Sequence, residues 1–197
     1  MPGSIVGIYG KQRSGKTLIA YKITKALREA AKEQGYDLRV YTNLYCPEDD
    51  WIYVNCLDDL PLDLEPKIVL IDEIYNGCDA EDHKKLNEIS IFVNTIGKQN
   101  CLFIFTSIYP KMVYNRLRQQ INTAILVKSS GDYIHYKVMN VNTGVESDYC
   151  VQKTERLFRD VKYDTNFIPL DFNWSMKAWK SKLSKFYMDN YGISISL

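Results

Sequence analysis

The sequence predicts an α/β domain: a mainly parallel sheet flanked by helices, with a C-terminal β-hairpin and helix. Three observations carry this. A short apolar run, Ser4-Ile5-Val6-Gly7-Ile8-Tyr9, leads through a glycine-containing loop into residues 18–33, where Leu18, Ile19, Ile23, Ala26, Leu27 and Ala30 recur at helical spacing. Two later runs, Ile68-Val69-Leu70-Ile71 and Leu102-Phe103-Ile104-Phe105, are apolar without alternation, as strands buried on both faces are. Between those runs Leu86, Ile89, Phe92, Val93 and Ile96 again follow a helical period, so strands and helices alternate along the chain.

The first loop reads Gly10-Lys11-Gln12-Arg13-Ser14-Gly15-Lys16-Thr17 and fits G-x-x-x-x-G-K-[ST] in the strand–loop–helix setting that pattern requires. Gly10 and Gly15 permit backbone angles closed to side chains and let main-chain N–H groups approach phosphate oxygens. The start of the helix, through Leu18, adds unpaired N–H groups and the positive end of its dipole. Lys16 supplies a point charge to the outer phosphates and the Thr17 hydroxyl a ligand for Mg²⁺. Residues 10–18 are therefore the expected nucleotide-binding set, with ATP and Mg²⁺ as expected cofactors.

Gly35 is a natural stop for the first helix. Residues 38–42 read as a second strand ending at Asn43, residues 51–55 as a short edge strand, and residues 57–66, acidic and holding two prolines, as a loop. The run at residues 67–71 then ends in Asp72-Glu73. Its spacing from the phosphate loop makes Asp72 the expected metal-holding acid, together with Thr17, and Glu73 the expected base for an attacking water.

Residues 76–82 form a polar loop in which Asp82 can cap the next helix, and Gly97 ends that helix. The strand at residues 101–107 leaves with Thr106 and Ser107, which are either γ-phosphate sensors or two small hydroxyl residues in a turn before Pro110. Residues 114–120 read as a short basic helix carrying Arg116 and Arg118, and residues 124–127 as a further strand. Residues 133–141 and 145–151, joined by Asn142-Thr143-Gly144, read as an antiparallel hairpin. One or two helical turns over residues 154–161 precede an extended stretch to residue 173. Residues 174–190 read as an amphipathic helix with Trp174, Ala178, Trp179, Leu183, Phe186 and Tyr187 on the packed face and Lys177, Lys180, Lys182 and Lys185 on the other.

With 197 residues, 46% apolar and 25% charged, the chain suits one domain: a core over about residues 4–128 and the hairpin and helical extension over about 129–197. A net charge of +1 excludes a bulk basic protein, so any nucleic-acid contact must come from local patches. Five scattered cysteines without paired spacing read as reduced residues, not as a disulfide frame or zinc site. No apolar run approaches the roughly 20 residues needed to span a bilayer, and the first residues lack a signal-peptide layout. His83 and His135 belong to no cluster with metal-ligand spacing. A cytoplasmic or virion-associated location is expected.

A strand-placed phosphate loop, an Asp-Glu strand exit and a polar third exit resemble the additional-strand, catalytic-glutamate class of P-loop NTPases, RecA-like in fold. Within it, three details are similar to the FtsK–HerA superfamily of DNA-pumping ATPases. They are Val40-Tyr41-Thr42-Asn43, similar to the strand end of zonular-occludens-toxin-like phage assembly ATPases; Thr106-Ser107 followed by Val113-Tyr114-Asn115-Arg116-Leu117-Arg118; and Tyr163-Asp164-Thr165. The small size is most similar to genome-packaging ATPases of archaeal and membrane-containing icosahedral viruses. Two positions depart from the pattern: Ser107 replaces the usual Gln, and Lys98 lies where an Arg is common, without its planar fork.

The resemblance implies a ring, pentamer or hexamer, that hydrolyses ATP to move double-stranded DNA into a capsid, acting at a capsid vertex. Ser107 would then sense the γ-phosphate. Arg118, with Arg116 second, would reach a neighbour's site. DNA contact is expected along residues 111–118 before the C-terminal lysine face, whose bland alternative is a solvated helix surface. Alternatives from other classes are a phage or virus assembly ATPase driving protein or filament extrusion, a small-molecule kinase, and a nonhydrolytic nucleotide switch. Glu73 as a water-activating base disfavours the last two.

Overall fold

The computed structural model describes residues 3–46, 49–75, 83–165, 167 and 170–195, and for residues 83–87 the backbone only. Its elements in chain order are β1 (Ser4–Tyr9), α1 (Lys16–Glu33), β2 (Arg39–Thr42), β3 (Ile52–Tyr53), β4 (Lys67–Ile71), α2 (His83–Thr95), β5 (Cys101–Ser107), α3 (Asn115–Gln119), β6 (Thr123–Ser130), β7 (Tyr133–Asn140), β8 (Glu146–Gln152), α4 (Glu155–Arg159) and α5 (Trp179–Tyr191). The expected polar loop at 76–82, with its cap at Asp82, lies outside the described residues.

The strands make one sheet in the order β3-β2-β4-β5-β1-β6-β7-β8. The first six pair in parallel, and β7 and β8 add antiparallel to β6. β5 stands between β1 and β4, so a strand separates the phosphate-loop strand from the strand ending in Asp72. All five residues of β4 are buried, which explains its uninterrupted apolar run.

Alternation along each strand divides the core into two clusters, one on each face of the sheet. One gathers Ile5, Tyr9, Val69, Ile71, Phe103 and Phe105 with Ile89, Phe92 and Val93 of α2. The other gathers Ile8, Ile68, Leu70, Ile104 and Ile125 with Leu18, Ile19 and Tyr21 of α1. Among the described residues no helix is long and apolar enough to cross a membrane.

Two differences from the sequence reading have physical causes. β6 extends to Ser130 and turns directly into β7, so the expected hairpin is the outer part of a three-stranded antiparallel arm. The last helix begins at Trp179 and not near residue 174. Asn173 is held extended: its N–H donates to the Asn55 carbonyl and its carbonyl accepts from Leu57 N–H. Trp174, fully buried, leaves that segment into the core, where its ring meets Phe172, Phe92 and Phe103. A tryptophan at helical spacing is thus a core plug delivered by an extended strap.

Candidate functional site

Parallel register brings the exits of β1, β4 and β5 to one edge of the sheet: Tyr9 is opposite Ser107, and Ile71 opposite Phe105. The loop after β1 is tied to β5 by the Gly10 N–H donating to the Ser107 carbonyl at 3.2 Å. Gly10 has no room for a side chain, since a Cβ would lie 2.3 Å from the Val127 carbonyl oxygen and 2.6 Å from Ser14 Oγ. Arg13 and Gly15 take left-handed angles, φ 60° and 96°, and curl the loop into the start of α1. No side chain caps α1 and no acid lies in its first turn, which leaves its first N–H groups for an anion. The Ser14 hydroxyl is buried and makes no hydrogen bond among the described residues.

Lys16 is buried, and its Nζ donates to the Lys11 carbonyl at 3.0 Å. Burial lowers its pKa below the ordinary lysine range, opposed by Asp72 and Glu73. Lys11, Gln12 and Arg13 are exposed along the rim, and Leu18 is committed to the core.

The exit of β4 is cross-braced. The Thr17 hydroxyl lies 3.0 Å from both carboxylate oxygens of Asp72, and the Thr106 hydroxyl donates to Asp72 Oδ1 at 2.6 Å. Burial pushes the Asp72 carboxyl above its usual range, with the Thr106 and Thr17 hydrogen bonds pulling the other way. The Asn43 side-chain amide grips the Asp72 backbone from both sides: Nδ2 donates to its carbonyl at 3.0 Å, and Oδ1 accepts its N–H at 2.7 Å. Glu73 follows in a left-handed conformation, φ 51°. Its N–H donates to Thr106 Oγ1 at 2.9 Å and the next N–H, of Ile74, to the Thr106 carbonyl at 3.0 Å. A non-glycine residue held there costs about 1–3 kcal/mol and persists because its neighbours over-determine it. Tyr75 contacts the Glu73 carboxylate. Burial, with the charge and hydrogen bond of Glu73, pushes the Tyr75 phenol up to about 12.

The structure thus brings Lys16, Thr17, Asp72 and Glu73 together. Of the two hydroxyls leaving β5, Thr106 reaches Asp72, whereas Ser107 donates to the Tyr109 carbonyl at 3.2 Å. Arg118 is directed to the Pro110 carbonyl and to Asn115 Oδ1, and Arg116 to Ser90 Oγ. Lys98 precedes β5, at the opposite end of the strand from the site. Tyr163 returns from the tail to pack on the Tyr21 ring, 5.3 Å between centroids, and is pushed up to about 12 by burial and then by Asp72 and Cys46. Tyr75 carried no role in the sequence, and Asn43 entered only as the end of a strand whose Thr42-Asn43 close resembles that of phage assembly ATPases, with no contact assigned to it.

The donor set fits Mg²⁺: a carboxylate faced by a hydroxyl at a buried, oxygen-rich corner suits a hard cation. The loop fits a phosphate, offering a curled main chain, the uncapped start of α1 and a buried lysine.

No protein-family model matches the chain, and no curated protein matches it. Solved structures do. The N-terminal domain of zonular occludens toxin from Neisseria meningitidis is similar at TM-score 0.59 and 16% identity, covering 83% of this chain and 100% of that one. The DNA-packaging ATPase of Sulfolobus turreted icosahedral virus is similar at TM-score 0.53 and 13% identity, covering 75% and 97%. The genome-packaging NTPase of Sulfolobus turreted icosahedral virus 2, in complex with AMPPCP, is similar at TM-score 0.54 and 11% identity, covering 76% and 98%. The chain has the α/β P-loop fold of these proteins.

Proposed function

We propose that the chain is an ATP-hydrolysing, DNA-translocating motor that packages a genome into a capsid. The observation that carries the hydrolytic part is the junction of Thr17, Asp72 and Thr106, with Glu73 locked beside it. Main-chain N–H groups of the loop and the Lys16 ammonium hold the β- and γ-phosphates, which draws Lys16 from the Lys11 carbonyl. Mg²⁺ held by Thr17 and Asp72 supplies neutralisation of phosphate charge. Glu73 accepts a proton from water as the water oxygen bonds the γ-phosphorus and the β–γ bridging oxygen departs with the diphosphate. Thr106, with Ser107 next to it, connects that chemistry to β5 and the segment beyond.

The DNA part rests on the likeness to packaging ATPases and on Lys111, Arg116 and Arg118, which follow β5 directly. Subunits act as a pentameric or hexameric ring at a capsid vertex, in the host cytoplasm or on the virion, with Arg118 or Arg116 completing a neighbour's site. The test is ATP turnover with and without duplex DNA, beside a salt titration of duplex binding. Stimulation is expected, together with affinity falling at a log–log slope of about −0.9 per neutralised phosphate. Turnover indifferent to DNA, with no binding at low salt, favours the second reading, an assembly ATPase extruding protein. That reading draws on the zonular-occludens-toxin likeness.

A further inference from the structure

We propose that Tyr75 is a positioning residue for the attacking water: its phenol holds one part of the Glu73 carboxylate and so aims the rest of it at the γ-phosphate. The proposal rests on the reading of Glu73 as the base and adds what orients it.

Fixing the backbone of Glu73 does not fix its carboxylate. Thr106 Oγ1 accepts the Glu73 N–H at 2.9 Å, and the left-handed turn, φ 51°, sets where the side chain starts. Beyond that point several rotatable bonds remain, each with alternative staggered wells. Glutamate is among the side chains with the most rotamer freedom to lose, and Glu73 is only partly buried. A base in that setting needs a partner that selects one orientation.

The turn supplies that partner from within itself. Ile74 is fully buried in the core that includes Ile89 and Phe92 of α2, and its N–H donates to the Thr106 carbonyl at 3.0 Å. With Ile74 anchored, Glu73 and Tyr75 flank it, both partly exposed. The Tyr75 hydroxyl donates to the Glu73 carboxylate. Burial, then Glu73 and Asp72, raise the pKa of the phenol, so its hydroxyl lies within reach of both charges and is turned back toward the exit of β4.

The chemistry of the contact suits aiming. An ionised carboxylate is an acceptor only, with two oxygens and room for about four hydrogen bonds. One phenol donor leaves the remaining lone pairs for water. A hydrogen bond to a charged acceptor is roughly twice as strong as one between neutral groups, which favours a single orientation. In this role Tyr75 acts through Glu73 and not on the nucleotide.

The experiment follows steady-state ATP turnover of the full chain with Mg²⁺, with and without duplex DNA, in wild type, Tyr75→Phe, Glu73→Gln and the double variant. Melting temperatures are measured on the same preparations. Tyr75→Phe keeps the ring and loses only the donor. Its kcat should fall about ten-fold in both conditions, because misplacing a reacting group by an ångström costs up to about 10². KM for ATP and the melting temperature should stay as in wild type. In the Glu73→Gln background the same change should cost nothing further, since no base is left to aim. Unchanged kcat in Tyr75→Phe beside an inactive Glu73→Gln chain overturns the role of Tyr75 alone. A higher kcat without DNA also overturns it, making the contact a restraint on the base. So does a raised KM with unchanged kcat, which puts the phenol on the nucleotide. A loss of kcat that tracks a lowered melting temperature, or that recurs in full in the Glu73→Gln background, overturns it in favour of a structural role. Parental turnover in Glu73→Gln overturns the base reading, and this inference with it.

Discussion

Two regions of the site edge are built on opposite plans. At the exit of β4 Asp72 is gripped through its carboxylate by Thr17 and Thr106 and through its backbone by Asn43, and Asn43 and Thr106 are buried. On the flank of the phosphate loop Tyr109 and Leu126 line an open cleft, both about half exposed. The difference fits the proposed hydrolysis. In-line displacement loses rate steeply when a reacting group is misplaced by an ångström, so the groups around it need supports that leave no freedom. The cleft beside the loop is lined by none of Lys16, Thr17, Asp72 and Glu73, so its exposed side chains need no such bracing.

The largest test of that contrast is Glu73→Gln. An amide cannot take the proton of water, so turnover should fall by about 10²–10⁴ while ATP binding persists. Phosphate release and nucleotide titration on the same preparation measure both, and parental turnover would remove Glu73 from the mechanism. Next is Asn43→Leu, which strips partners from the Asp72 N–H and carbonyl at once. Each buried group left unpaired costs about 1–3 kcal/mol, visible as a lowered denaturation midpoint. A midpoint within error of wild type would show that the exit of β4 is less braced than its geometry indicates.

A smaller effect is expected from Asp72→Asn in chelator. Folding raises the Asp72 pKa, so over the interval above its unfolded value the native state binds more protons than the unfolded chain. Asp72 therefore costs stability increasingly as pH rises from about 4 toward neutrality. The substitution should relieve that cost, giving a gain in melting temperature that grows with pH, at about 2–4 °C per kcal/mol relieved. A pH-independent difference would contradict it. The smallest change should come from the arm: Cys150 is exposed on β8, and Cys150→Ser should shift stability by no more than about 0.5 kcal/mol.

Much of this was legible in the sequence because it is local. The phosphate loop is one contiguous motif, and β4 announces its burial by having no polar face. The architecture follows from the alternation of such strands with helical spacing. What was hidden depends on contacts far apart in the chain. Asn43 and Asp72 are 29 residues apart, and nothing in either neighbourhood reveals that one side-chain amide spans the other's backbone. Ser107 and Thr106 looked equivalent until strand pleat gave one to Asp72 and the other to Tyr109. Trp174 matched the period of the helix behind it, but tertiary demand for a large apolar group in the core outweighed that pattern.

The strap that delivers Trp174 also imposes a schedule on how the protein is made. Phe172, Trp174 and Met176 belong to the same cluster as Ile5 and Tyr9, some 170 positions earlier in the chain. During synthesis at about 5–20 residues per second, the first strand waits on the order of ten seconds before its last neighbours leave the ribosome. Until then one face of the sheet has a hole the size of an indole, and a chain stopped near residue 160 would present that hole to chaperones and proteases.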